Sequence, residues 1–147
     1  MSKPIIAFAA DHAGYSLKDT LLEEMRAAGF GVVDLGTDSP QSVDYPDYAN
    51  ILAKCLAAGE ADLGVAICGT GIGISMAANR HPHIRCALIH DETGARLTRL
   101  HNDANVIAFG ARVIGIEVAR AALTTFVATP FEGGRHARRV EKLQQIG

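Results

Sequence analysis

Short apolar runs alternate with stretches of helical period along the whole chain. Ile5–Ala10 is an unbroken run of strand length. Leu17, Leu21, Leu22 and Met25 then recur at helical spacing within a stretch from about residue 14 to residue 28, which Gly29 ends. Residues 31–35 read as a second strand. A loop rich in Gly, Asp, Ser and Pro covers residues 36–46, and Pro46 is placed to open a helix carrying Ala49, Leu52, Ala53 and Leu56. Leu63–Cys68 is apolar at nearly every position, which predicts a central strand covered on both faces. Residues 84–89 and 106–109 read as strands four and five, and Ala119, Ala122, Leu123, Phe126 and Val127 form a clear helical stripe. Five strands alternating with helices predict an α/β fold, a three-layer α/β/α sandwich around a five-stranded parallel sheet. The chain has 147 residues, which suits one domain (residues 1–147) able to bury a core without disulfides or metal.

The polar residues gain meaning from this frame. In parallel sheets, ligands bind beyond the carboxyl ends of the strands. Asp11 and His12 stand there after strand one, Cys68 after strand three, His90 and Asp91 after strand four, and Gly110 and Arg112 after strand five. The richest of these positions is Cys68-Gly69-Thr70-Gly71-Ile72-Gly73, a cysteine followed by three glycines at alternating positions and then a short helical segment. Such a turn bares backbone N–H groups to an anion, and a thiol near a helix N-terminus is biased toward the thiolate that attacks or takes protons. Other glycine loops are excluded. Position 74 is Ile, so G-x-G-x-x-G fails; no Lys follows as in a P-loop, and no Arg falls within residues 69–75 as a cysteine phosphatase requires.

Composition narrows the class further. A net charge of −2 argues against a general nucleic-acid surface, and no apolar run approaches a membrane span. Three widely spaced cysteines without C-x-x-C point to reduced thiols in a cytoplasmic protein, with Cys55 and Cys86 as packing residues. The amino terminus lacks a signal-peptide pattern. Toward the carboxyl terminus, Arg135, Arg138, Arg139 and Lys142 share one helical face, with His136, Val140 and Leu143 on the other. Arg135 and Arg139 lie one turn apart, so two guanidinium forks can meet one anion, and Gly133-Gly134 would permit close approach. With Arg112 and His12 they are expected to clamp a phosphate. His101-Asn102-Asp103 closes the fourth helical stretch and offers an acid or base that titrates near neutrality. His81-Pro82-His83 reads as a surface loop, and the absence of H-E-x-x-H or a His/Cys ligand cluster argues against a metal-dependent hydrolase.

Taken together, Asp11-His12, Asp44-Tyr45-Pro46, Ile-Cys-Gly-Thr-Gly-Ile-Gly-Ile-Ser at 67–75, His-Asn-Asp-Ala-Asn-Val at 101–106, Gly-Ala-Arg at 110–112 and Glu-Gly-Gly-Arg-His at 132–136 resemble the type B ribose-5-phosphate isomerases. The resemblance runs through essentially the whole chain in order, and the broader family includes galactose-6-phosphate isomerase subunits. It implies a Rossmann-like sandwich, dimers or dimers of dimers with shared active sites, and no metal or organic cofactor. It implies Cys68 as the base that moves a proton between C1 and C2, and His101 as the proton donor that opens the sugar ring. Asp11 and His12 would contact the sugar and its phosphate, and the amides of Gly69, Thr70, Gly71, Ile72 and Gly73 would hold the enediolate oxygen. Thr70 and Asp11 join the catalytic set on this resemblance, and Tyr45, Asn102, Arg112, Arg135 and Arg139 the substrate-contacting set. One branch of the family carries a catalytic Glu in the glycine loop; Ile74 places this chain with the cysteine branch.

The expected activity is therefore aldose–ketose isomerisation of a small phosphorylated sugar, ribose 5-phosphate first, with tetrose 4-phosphates and hexose 6-phosphates as alternatives. A non-catalytic sensor of phosphorylated metabolites would use the loop and the arginines but would have no use for Cys68 and His101. Because His101 and Asn102 end a helix away from the strand-three loop, His101, Asn102 and Arg112 are expected to complete the pocket of a partner chain that holds Cys68 and Arg139.

Overall fold

The computed structural model describes residues 2–145. Its strands are β1 (Ile5–Ala10), β2 (Gly31–Asp34), β3 (Leu63–Cys68), β4 (Cys86–Leu88) and β5 (Val106–Gly110). They form one sheet in the order β2-β1-β3-β5-β4, and every pairing is parallel. Between and after them run α1 (Tyr15–Ala27), α2 (Tyr45–Ala57), α3 (Ile72–Ala78), α4 (Glu92–Asn102), α5 (Ile116–Ala128) and α6 (Arg135–Gln144). The expected α/β/α sandwich and five-stranded sheet are present.

Side-chain size sets the two faces apart. Alternate residues of a strand point to opposite sides, so Ile6, Phe8, Val65, Ile67, Ile107 and Phe109 meet α1, α4 and α5 in one buried cluster. Their neighbours Ala7, Ala9, Ala66, Cys68 and Ala108 meet α2 and α3 in the other. The small residues let α2 come close: a Cβ on Gly64 would stand 2.9 Å from Leu52 Cδ1. Connections to the left of the sheet therefore cross one face and those to the right cross the other. The winding reverses between β1 and β3, and a crevice opens beyond their carboxyl ends.

Strand four is shorter than its pattern predicted. Ile84 and Ile89 are buried, yet only Cys86–Leu88 pair with β5, because β4 is the sheet edge and Ile84 N–H turns back to His81 O (3.0 Å). Ladder contacts on one side only give the run less to align with. The predicted second strand loses Leu35 from its span, although Leu35 N–H still bonds Phe8 O at 2.9 Å. On α6, the face opposite the basic stripe is not uniformly covered: His136 is buried, whereas Leu143 is 52% exposed.

Candidate active site

Three strand ends build one side of the site. Asp11 follows β1 and is 5% exposed; its Oδ1 accepts the N–H groups of Ala13 (3.0 Å) and Gly14 (3.2 Å), which turns the chain into α1. One carboxylate oxygen is thus committed to the turn. Gly14 fits because a Cβ there would stand 2.7 Å from Ile67 O, so β1 and β3 close tightly under the crevice. His12 Nδ1 accepts the N–H of Val43 at 3.1 Å, which requires a lone pair on Nδ1 and leaves Nε2 to carry any proton of the neutral ring.

Cys68 ends β3 and is 4% exposed, with its Sγ accepting the Gly71 N–H at 3.2 Å. Gly71 reaches that position with φ +78°, a left-handed conformation that glycine adopts without strain. Thr70 Oγ1 accepts the Ile72 N–H at 3.1 Å. Two of the five amides expected to face a ligand are therefore spent inside the loop. The N–H groups of Gly69 and Thr70 have no partner among the described residues. The end of β5 locks the loop from beneath: Ala111 N–H bonds Cys68 O (2.9 Å), Arg112 N–H bonds Gly69 O (2.9 Å), and a Cβ on Gly110 would stand 2.4 Å from Thr70 O. Tyr45, at the start of α2, lies against Gly73, where a Cβ would meet its ring at 2.6 Å. The other two thiols are held protonated: burial and then the charge of Glu60 raise Cys55, and burial pushes Cys86 up to about 12.

His101 belongs to a second group. Each helix runs back against the parallel strands, so the carboxyl end of α4 lies at the amino ends of β4 and β5, opposite Cys68. There the His101 and His136 rings stack with centroids 4.4 Å apart and planes 17° from parallel. Burial first, then the charges of His101, Arg135 and Arg139, lower the pKa of His136, with Glu132 opposing them. Asn102 Oδ1 accepts the Thr98 hydroxyl at 3.1 Å.

The grouping expected from sequence is corrected by this placement. Arg112 does not stand apart from the Cys68 loop: its guanidinium lies against Gly69, with Nη1 3.0 Å from where a Cβ would stand. Arg135 and Arg139 bear on His136 beside His101, at the opposite end of the sheet from Cys68 and His12, so the four-residue clamp does not form within one chain. The left-handed φ values of Gly133 (+74°) and Gly134 (+57°) turn the chain into α6, and nothing lies within 4 Å of a Cβ at either, so close approach is not their role within the chain. Asp91 is a helix cap, accepting Gly94 N–H at 2.7 Å. His81 and His83 are each tied to α2, by Asn50 Oδ1 and Ala53 O, both at 2.8 Å. Glu132 beside His101 was not singled out, since only the return of the chain after α5 brings it there. A cavity of about 400 Å³ lies at the β4 edge between Cys86, Asn102 and Leu143; it includes neither Cys68 nor His101. No helix among the described residues is long and apolar enough to cross a membrane.

The sequence profile of the Ribose/Galactose Isomerase family matches residues 6–143. The ribose-5-phosphate isomerase B of Escherichia coli is 45% identical over 141 residues, spanning 96% of this chain and 95% of its own. A putative sugar phosphate isomerase of Bacillus subtilis is 45% identical over 94% of this chain and 93% of its own. Among solved structures, the ribose-5-phosphate isomerase B of Clostridium thermocellum superposes with a TM-score of 0.95 at 44% identity, covering 97% of this chain and 96% of that one. The type B enzyme of Trypanosoma brucei gives 0.95 at 43% identity, covering 99% of this chain and 100% of its own. With sequence and fold agreeing over nearly its whole length, the chain belongs to the ribose/galactose isomerase family and is an aldose–ketose isomerase.

Proposed function

We propose that residues 1–147 form one isomerase domain that interconverts D-ribose 5-phosphate and D-ribulose 5-phosphate in the cytoplasm, within a homodimer or homotetramer. The observation that carries the reading is a thiol on a glycine loop in the β1–β3 crevice, beside Asp11 and Arg112. Moving hydrogen between C1 and C2 needs one base that takes and returns a proton, donors for the enediolate oxygen, and a remote anchor that orients the reacting carbons. Cys68 is the base. The Gly69 and Thr70 amides and the Thr70 hydroxyl face the developing oxyanion, while Asp11, His12 and Tyr45 position the sugar.

His101 supplies the ring-opening proton, and Arg135 and Arg139 with Arg112 hold the phosphate. Since His101 and the two helical arginines sit at the far end of the sheet, a two-fold dimer is required to bring one protomer's His101 group over its partner's Cys68 loop. The test is complementation. Cys68→Ala and His101→Ala homodimers should each be nearly inactive. Refolded together, the two chains should recover about a quarter of the wild-type sites under random pairing. No recovery with exchange verified would mean that each chain builds its own site. Turnover of tetrose 4-phosphates or hexose 6-phosphates above ribose 5-phosphate in a kcat/KM panel would reassign the substrate.

A further inference from the structure

The loop after α5 returns to α4, where Glu132 N–H donates to Leu100 O at 3.1 Å and sets the Glu132 side chain beside His101. The two left-handed glycines then swing the chain into α6, and His136 comes to rest on the His101 ring. His101, Glu132 and His136 each offer one donor atom, and these atoms lie within 4.8 Å of one another. Glu132 Oε1 is 4.0 Å from His136 Nε2, too far for a hydrogen bond. His136 is only 6% exposed, and its Nε2 is buried with no hydrogen-bond partner among the described residues. A buried ring nitrogen without a partner, aimed at a carboxylate it does not touch, is a donor awaiting something between them.

We infer that His101, Glu132 and His136 form a binding site for a divalent transition-metal ion such as Zn²⁺, and that its occupation withdraws His101 from catalysis. Two imidazoles and one carboxylate are a donor set zinc accepts, with bonds of about 2.0–2.2 Å and ligand atoms roughly 3.4 Å apart in tetrahedral geometry. Coordination would draw these ligand atoms, now within 4.8 Å of one another, in to that separation. Arg135 and Arg139 border the site and oppose any cation held by charge alone. Calcium and magnesium, which want shells of oxygen ligands, are thereby refused, whereas a metal that forms bonds to nitrogen is accepted. Metal binding itself does not depend on the proposed reaction. The inhibitory consequence does, because it rests on His101 being the ring-opening acid.

The experiment uses metal-stripped full-length protein. Zn²⁺ affinity is read by competition with a chromophoric chelator, and Co²⁺ absorption reports the ligand set. One Zn²⁺ per chain is expected, with no response to Mg²⁺ or Ca²⁺ at the same concentration. Glu132→Gln, a change at an exposed side chain, should weaken binding at least about tenfold, since even outer-shell partners of metal ligands are worth that much. His136→Gln should do the same, and His83→Ala should leave the affinity unchanged. Isomerase inhibition by Zn²⁺ should shift to higher concentration in Glu132→Gln by the factor seen in binding. Unaltered affinity in Glu132→Gln and His136→Gln, or a thiolate-to-cobalt charge-transfer band, would overturn the site. Metal-free wild type inactive on every sugar phosphate would instead overturn the catalytic reading and its inhibition, with the binding result standing.

Discussion

Replacing Gly71 by Ala tests the loop that holds Cys68. The residue has φ +78°, and a Cβ there would stand 2.6 Å from Leu88 Cδ1, 2.8 Å from the Phe109 carbonyl carbon and 3.0 Å from Gly110 N. The left-handed backbone alone costs an alanine about 1–2 kcal/mol. Two of the three close atoms belong to the β5 backbone and cannot swing aside, so overpacking adds roughly 1–3 kcal/mol. Gly59 is the matched control, with φ +74° and nothing within 4 Å of its Cβ position. Any gain from a stiffer unfolded chain is the same at both sites. Urea unfolding of the two variants should therefore separate strain from contact, with Gly59→Ala losing only the first amount and Gly71→Ala the sum. Turnover should also fall in Gly71→Ala, because the displaced loop takes the Gly71 N–H away from the sulfur. Equal stability losses in the two variants would refute the claim that β5 constrains the loop.

Lys18 is wholly buried and bonds Asp19 (2.7 Å) and Asp34 (2.8 Å), each about half exposed; burial lowers its pKa, and the two carboxylates more than restore it. Lys18→Met should thus cost about 1 kcal/mol in a urea melt, whereas Asp19→Asn with Asp34→Asn, which strands a buried charge, should cost roughly 3 kcal/mol or more. Cys86 stays protonated in the folded chain up to about pH 12. The folded state then holds a proton that the unfolded chain releases, so this contribution is complete below the ordinary thiol value and is lost as pH rises toward 12. Between those limits, wild type should lose about 1.4 kcal/mol per pH unit more than Cys86→Ala in parallel stability curves. Arg139→Ala should reduce kcat/KM for ribose 5-phosphate about tenfold or more by removing a charged contact, yet leave free ribose almost unaffected; equal losses on both would count against the phosphate assignment.

The central strands were legible because burial on both faces leaves no polar residue in Leu63–Cys68, and because Gly69 marks its end. The edge strand was less so: in residues 84–89 apolar character reports burial, whereas strand pairing depends on a neighbour that sequence does not display. Cys68, Asp11, Tyr45 and Arg112 were identified from local motifs, and the fold gathers them at one end of the sheet. The correction concerns which arginines stand with Cys68: Arg112 lies against its loop, whereas Arg135 and Arg139 lie at the other end of the sheet. Spacing on α6 shows that Arg135 and Arg139 share a face, but the end of the sheet they occupy follows from the direction of α4 and α5. Glu132 and His136 approach His101 only after the chain crosses the molecule and returns, so no local pattern announces them.

The interlock between the glycine loop and β5 also governs how the loop moves. The Cys68 and Gly69 carbonyls accept the N–H groups of Ala111 and Arg112, just beyond the end of β5, and the Gly110 backbone fills the space beneath Thr70. Opening the loop therefore means unpairing β5 from β3, an event of nearly global size. The Ala111 and Arg112 amides, though beside the crevice, should exchange with deuterium as slowly as those of Ile67 and Phe109 at the sheet centre. Thermal fluctuation then leaves the thiol's position almost untouched, and whatever breathing admits a ligand belongs to the surrounding segments.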